Sequence, residues 1–275
     1  MEDSKIINGN CWVAYFDILG FSNLVNGFPV EYVREKYKEA LKQGEQFNEI
    51  CKFKFFSDSF IFYTKNDSQD SFISIRDVSM FFFTVMLTDN KLPHFPMRGC
   101  LNVGQLYVDE KDDFFFGNSL IKAHQLAEGQ NWIGFVLSEE AIAKIKDYEL
   151  SGAITNNDRW FQEYNVLYKN KKEPKKLFVY KMNFFPIHAK YPNILWDLLP
   201  NMEHEAFLTK DKNLNRCSDR CSECKRVFTK YRNTEDYLLS LYPILKNKKR
   251  IDQNELCIGC KKQETGRVGF SPPIL

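Results

Sequence analysis

The chain has 275 residues, 44% of them hydrophobic and 15% aromatic, enough for one large domain or a medium domain with a small appendage. Its 38 basic and 36 acidic residues leave a formal net charge of +2, which argues against a nucleic-acid binder with a strongly basic face; KNKKEPKK (169–176) and KNKKR (246–250) read as solvated loops. No apolar run approaches the roughly 20 residues of a membrane-spanning helix, and the polar start MEDSKIINGN lacks a leader pattern, so no membrane association and a cytoplasmic location are expected.

Residues 11–19, CWVAYFDIL, read as a buried strand that carries an aspartate, Asp17, close to its end. Pro29 opens a helix with Val30, Val33, Tyr37 and Leu41 along one face. CKFKFFSDSFIFYT (51–64) reads as two aromatic strands folding back at Ser57-Asp58-Ser59, and a helix is expected over about 70–90. MRGCLNVGQLYVDE (97–110) reads as a strand broken by Gly99 and Gly104. The acidic stretch KDDFFFG then leads to Gly117 and a helix, NSLIKAHQLAEG, with Leu120, Ala123 and Leu126 on one side and Gly129 as its stop. A short strand, IGFVL, meets Ser138, an N-cap for EEAIAKIKDY. RWFQEYNVLY and KLFVYKM add two strands. The order β-α-β-β-α-β followed by further elements predicts an α+β fold: a ferredoxin-like mixed or antiparallel sheet with helices packed on it. The texture changes after Pro186, Pro192 and Pro200, which predicts a main domain over 1–205 and an extension over 206–275.

An isolated aspartate beside a turn is ordinarily a cap whose oxygens accept backbone N–H bonds. Two change the reading. With the first and second strands adjacent, the end of the first lies beside the hairpin tip, and Asp17 and Asp58 converge. Carboxylates that close repel unless a cation sits between them, and hard Mg2+ or Mn2+ relieves the repulsion while leaving coordination positions for phosphate oxygens. Gly20, just beyond, lets the backbone approach an anion closely.

FDILGFSNL resembles the first metal motif of the class III nucleotidyl cyclases, and FFSDSFIFY resembles their second metal hairpin. RGCLNVGQLY and FFGNSLIKAHQLAEG are similar to the strand and helix that follow. The resemblance covers about residues 11–145 and is strongest to the soluble bacterial pyrimidine cyclases of Pycsar anti-phage systems. It implies a class III cyclase-like fold and a homodimer with sites between subunits. Two Mg2+ or Mn2+ ions would be held by Asp17, Asp58 and the Ile18 carbonyl, and the backbone of Gly20, Phe21 and Ser22 would cradle the terminal phosphates. Lys54 falls where the family often reads the base. Its usual acidic partner, three before the glycine, is Phe114, with Asp112 and Asp113 next door. Ile121 and Gln125 stand where purine cyclases carry an asparagine and an arginine, which favours UTP or CTP as substrate and raises the possibility of a dead site. Arg98 is the remaining candidate for a phosphate or base contact, or else an exposed strand charge; Lys122 and His124 are weaker candidates.

Cys11, Cys51 and Cys100 lie in apolar segments and read as small core residues. CSEC (Cys221, Cys224) and CIGC (Cys257, Cys260) form two C-x-x-C pairs that suit a four-thiolate structural Zn2+ site, with Cys217 a spare or a replacement for Cys221 and a helical insert over 234–245. A closed site of this kind staples a short extension; binding of a partner or nucleic acid is the alternative. Three functional readings stand: a nucleotidyl cyclase, a catalytically silent cyclase-like domain that binds nucleotide or a partner, and a metal-dependent phosphodiesterase or nuclease. The third usually recruits more acidic or histidine ligands than this chain offers.

Overall fold

The computed structural model describes residues 6–22, 25, 29–45, 50–88, 95–150, 160–169, 173–181 and 222–241. Its centre is β1 (Ile6–Ile18), antiparallel to β3 (Ser59–Thr64) on one side and to β4 (Met97–Asp109) on the other. β2 (Cys51–Phe56) forms a hairpin with β3, and β5 (Phe114–Phe116) one with β4. The sheet continues through β6 (Gly134–Leu137), β8 (Lys175–Tyr180) and β7 (Phe161–Val166), in the order β2-β3-β1-β4-β6-β8-β7. Only the β4–β6 pairing is parallel among these neighbours, because helix α3 (Asn118–Gly129) carries the chain between them. The expected mixed α+β sheet is what the chain forms.

Two expectations are corrected by the topology. β3, not β2, lies beside β1, because the helix α1 (Val30–Glu45) between β1 and β2 skips a position that the hairpin then fills. β4 runs unbroken through Gly99 and Gly104. Gly99 is there for close packing: a Cβ would fall 2.5 Å from Phe16 Cδ1 and 2.8 Å from the Tyr15 carbonyl oxygen.

Strand alternation sorts the two faces. Trp12 meets Phe72, and Phe16 meets Phe82 and Phe83, all on α2 (Gln69–Thr88), so even-numbered β1 residues face α2. Odd-numbered residues face the other way, where the Tyr15 ring meets His124 on α3 at 5.1 Å. Among the described residues no helix is long and apolar enough to cross a membrane. The cysteines Cys11, Cys51 and Cys100 are buried and unpaired, as their apolar surroundings lead one to expect.

Helix α5 (Ser222–Leu241) starts inside the first cysteine pair, earlier than the expected insert at 234. It packs on the β6–β8–β7 end of the sheet, where Tyr237 donates to the Tyr180 carbonyl at 2.6 Å and meets the Trp132 ring edge-on at 4.9 Å. The expected boundary between residues 205 and 206 lies outside the described residues.

Ser138 closes a buried polar knot. Its hydroxyl donates to Asn102 Oδ1 at 2.6 Å and accepts the Ala141 N–H at 3.0 Å, capping α4 (Glu139–Leu150) as expected, while Asn102 Nδ2 donates to the Ser119 carbonyl. Removing the hydroxyl deletes the cap and strands a buried amide oxygen. Ser138→Ala should therefore cost about 2 kcal/mol in urea unfolding, and a loss below ~0.5 kcal/mol, the range of ordinary surface substitutions, would contradict this account.

Candidate active site

The register of three strands places the first aspartate. Asp17 pairs directly with Ser59 of β3 and with Arg98 of β4, so all three side chains share the α3 face of the sheet. Asp58 sits one residue before β3, at the hairpin tip, and its carbonyl accepts the Ile18 N–H at 2.9 Å. The tip is a two-residue turn with Ser57 in the left-handed region (φ 56°). Asp58 thus stands at the same end of the sheet as Asp17, by way of β3 rather than β2, and its charge is the smallest of the contributions that shift the Asp17 pKa.

Gly20 follows with φ 73°, a conformation that favours glycine, and begins the turn into a helical segment at Phe21 and Ser22. The Phe21 ring stacks on Tyr37 of α1, which leaves its backbone and the exposed Ser22 at the turn.

Arg98 is not the exposed strand charge that was one reading of it; it is only 5% exposed. Its Nε donates to Asp17 Oδ2 at 2.8 Å and its Nη2 lies 2.7 Å from the same oxygen. Nη1 donates to the Glu128 and Gln130 carbonyls, and Nη2 also pairs with the Glu128 carboxylate. The guanidinium is thus engaged by the protein on every side that these bonds cover.

Lys54 lies on the same sheet face as Asp17, two strands away, by way of Ile61 and Tyr15. It forms an ion pair with Asp113, which stands in the left-handed region (φ 58°) of the β4–β5 turn. The ion-pair partner of Lys54 is thus Asp113, next to Phe114 in the chain. Lys122 pairs with Glu140 of α4, while Ile121, His124 and Gln125 are exposed along α3.

Glu128 was not singled out by the sequence. In AHQLAEG it reads as a solvated helix residue, and only the need of a strand arginine for a second partner could have pointed to it. Burial pushes the Asp17 carboxyl up, to about 6, against the opposing pull of Arg98; Glu128 and Asp58 add to the rise. Partial burial also raises Glu128, but Arg98, Lys169 and His124 together hold it below its ordinary value.

The donor set suits a hard divalent cation: two carboxylates whose repulsion a cation would relieve, with the Ile18 backbone between them. Among the described residues no group of three or more His, Cys, Asp or Glu gathers as a metal cage, so phosphate oxygens would have to complete such a site. Cys221, Cys257 and Cys260 of the expected zinc site lie outside the described residues; Cys224 lies on α5.

No family model matches the chain, and no curated protein matches it. Among solved structures, the chain is similar to the guanylyl cyclase domain of the RhoGC fusion protein from the aquatic fungus Blastocladiella emersonii, at 12% identity over 64% of this chain and 96% of that one (TM-score 0.47). It is similar also to an adenylyl cyclase from P. aeruginosa, at 16% identity over 64% and 95% (TM-score 0.41), and to an adenylate cyclase from Trypanosoma brucei, at 11% over 63% and 90% (TM-score 0.46).

Asp17 binds its proton more tightly when folded than when unfolded. Its contribution to stability is therefore greatest below pH ~4 and is lost as pH rises toward 6. In buffers without added magnesium or manganese, Asp17→Asn should melt at or above wild type at pH 8, with its advantage shrinking as the pH drops to 4. A melting temperature below wild type at pH 8 would show that the ion pair with Arg98 outweighs burial.

Proposed function

We propose that the protein is a nucleotidyl cyclase converting UTP or CTP to a 3′,5′-cyclic nucleotide and pyrophosphate, a second-messenger producer in bacterial anti-phage defence. What supports this reading is the placement of Asp17 near the end of β1 and of Asp58 at the tip of the adjoining β2–β3 hairpin, beside the Gly20 turn. Bound through Asp17, Asp58 and the Ile18 carbonyl, two Mg2+ or Mn2+ ions would supply activation of the ribose 3′-hydroxyl and neutralisation of the leaving pyrophosphate. The chain's own residues supply the rest. The left-handed turn at Gly20 would let the N–H groups of Phe21 and Ser22 approach the terminal phosphates. Lys54 and Asp113 form a donor and an acceptor side by side, able to give and take one hydrogen bond each from a base edge. Arg98, with its donors engaged by Asp17 and by the turn after α3, would act by holding Asp17 in place rather than by touching phosphate.

The same reading takes a homodimer with sites at the interface, for which the exposed Phe56, Phe114, Phe116 and Ile121 offer apolar surface. It keeps a structural zinc on Cys221, Cys224, Cys257 and Cys260 within the 206–275 extension. One observation favours a second reading, a catalytically silent domain of the same fold: Arg98 already neutralises one of the two candidate metal ligands.

Incubation with each nucleoside triphosphate and manganese should release pyrophosphate from UTP or CTP. Asp58→Ala should abolish release with the circular dichroism spectrum unchanged, and Lys54→Met should raise KM roughly tenfold or more while blurring the choice between bases. Absence of product with all triphosphates would transfer the case to the silent domain.

A further inference from the structure

The position of Arg98 is set from outside its own strand. Its contacts with the Glu128 and Gln130 carbonyls, at 3.0 and 3.4 Å, make the turn after α3 decide where the guanidinium lies. That turn is itself held. Gln130, fully buried, donates from Nε2 to the Gly99 and Leu126 carbonyls at 3.0 Å each and accepts the Trp132 indole N–H at 2.7 Å. The Trp132 ring lies over Gly134, where a Cβ would come within 2.4 Å of Cζ2, and it stacks on Tyr164 at 5.7 Å. Helix α5 closes the turn from its far side. Asn233 Nδ2 donates to the Asn131 carbonyl at 2.7 Å, and the Ile133 N–H donates to Thr234 Oγ1 at 2.9 Å.

We infer that α5 is a positioning element for Asp17: Asn233 and Thr234 fix the backbone at 131–133, that turn fixes Arg98, and Arg98 fixes the carboxylate. The inference rests on the cyclase reading for the task given to Asp17. A helix that merely covered an apolar sheet end would need only Tyr231, Tyr237 and Leu238, which are buried. Polar bonds from consecutive α5 residues to the backbone of the turn that orients a buried guanidinium do more than cover. Partners one step removed from a ligand set its orientation, and their loss typically lowers metal affinity 10- to 100-fold. Three steps removed, a smaller loss of about three- to tenfold is expected here.

The test uses the full chain with Mn2+ alone, read by electron paramagnetic resonance as the fraction of free ion. Thr234→Val keeps the volume and removes the hydroxyl; Thr234→Ser restores the hydroxyl; Asn233→Ala is a second route should the valine variant fold poorly. Wild type should bind Mn2+ more tightly than Asp17→Asn. Thr234→Val and Asn233→Ala should weaken binding three- to tenfold, and Thr234→Ser should restore it. Unchanged affinity in both the valine and the alanine variants would overturn the inference and leave the cyclase reading intact. Equal binding by wild type and Asp17→Asn would also overturn the inference, because Asp17 would then hold no ion to be positioned for; pyrophosphate release decides the cyclase reading separately.

Discussion

Antiparallel pairing of β1 on both sides is the constraint from which the site follows. Thirteen residues of β1 pair with β4 from Ile6↔Asp109 to Ile18↔Met97, and five of them pair with β3, from Val13↔Tyr63 to Asp17↔Ser59. Because side chains alternate, these two registers together decide that Asp17, Arg98 and Ser59 share a face while Phe16 enters the aromatic core with Phe82, Phe83 and Phe135. A slip of one residue against either neighbour would turn the carboxylate into that core and bring a phenylalanine to the site. The packing of Phe16 therefore protects the placement of Asp17: the rings that fill the α2 side make the alternative register costly.

Burial and charge pull the Asp17 carboxyl in opposite directions. Taking a carboxylate out of water costs several kcal/mol per ion, and the attraction of a buried guanidinium repays this only with good geometry and further bonds. Arg98 supplies good geometry on Oδ2, yet it divides its attention between Asp17 and Glu128, and burial prevails. A purely structural strand would gain by replacing this arrangement with apolar residues. In the middle of an aromatic sheet, the arrangement costs stability wherever Asp17 is ionised. Asp58 is different in kind: it sits half-buried on a tight turn, with its backbone bonded to Ile18. One carboxylate is thus deeply set and braced, while the other is carried on a short hairpin.

What could be read from the chain was whatever announced itself locally. An aspartate inside CWVAYFDIL and another inside FKFFSDSFIF are legible only together: each alone reads as a cap, and two in one β-α-β-β unit point to a shared cation. Gly20 was legible as a place where the backbone can approach an anion; its left-handed φ of 73° is what the structure adds. Ser138 was legible as a cap from its acidic first turn. The features missed are those settled by distant partners. Gly99 looked like a break because the ring that forbids a side chain there belongs to Phe16, on another strand. Strand order was misjudged because hydrophobic alternation says which residues pair with something, not with which strand. Between Asp112 and Asp113, beside Phe114, the chain offers no local choice, because Lys54 comes from another strand, β2. Glu128 and Gln130 carry no local signal, since their role exists only once β4 brings Arg98 beneath the end of α3.

The hairpin tip links these strands of argument. Asp58 has no strand register of its own; it is placed by the Ile18 N–H that its carbonyl accepts and by the left-handed Ser57 that tightens the turn. On the other side of the same strand end, the Leu19 N–H donates to the Pro96 carbonyl, just before β4 delivers Arg98. Two successive backbone amides after Asp17 therefore tie β1 to the two segments that matter, one leading to the second carboxylate and one to the arginine. Immediately beyond them, Gly20 turns the chain away. The end of β1 is fastened on both sides before it turns, and so the spacing between Asp17, Asp58 and the N–H groups of the turn depends on short backbone bonds rather than on long, mobile side chains.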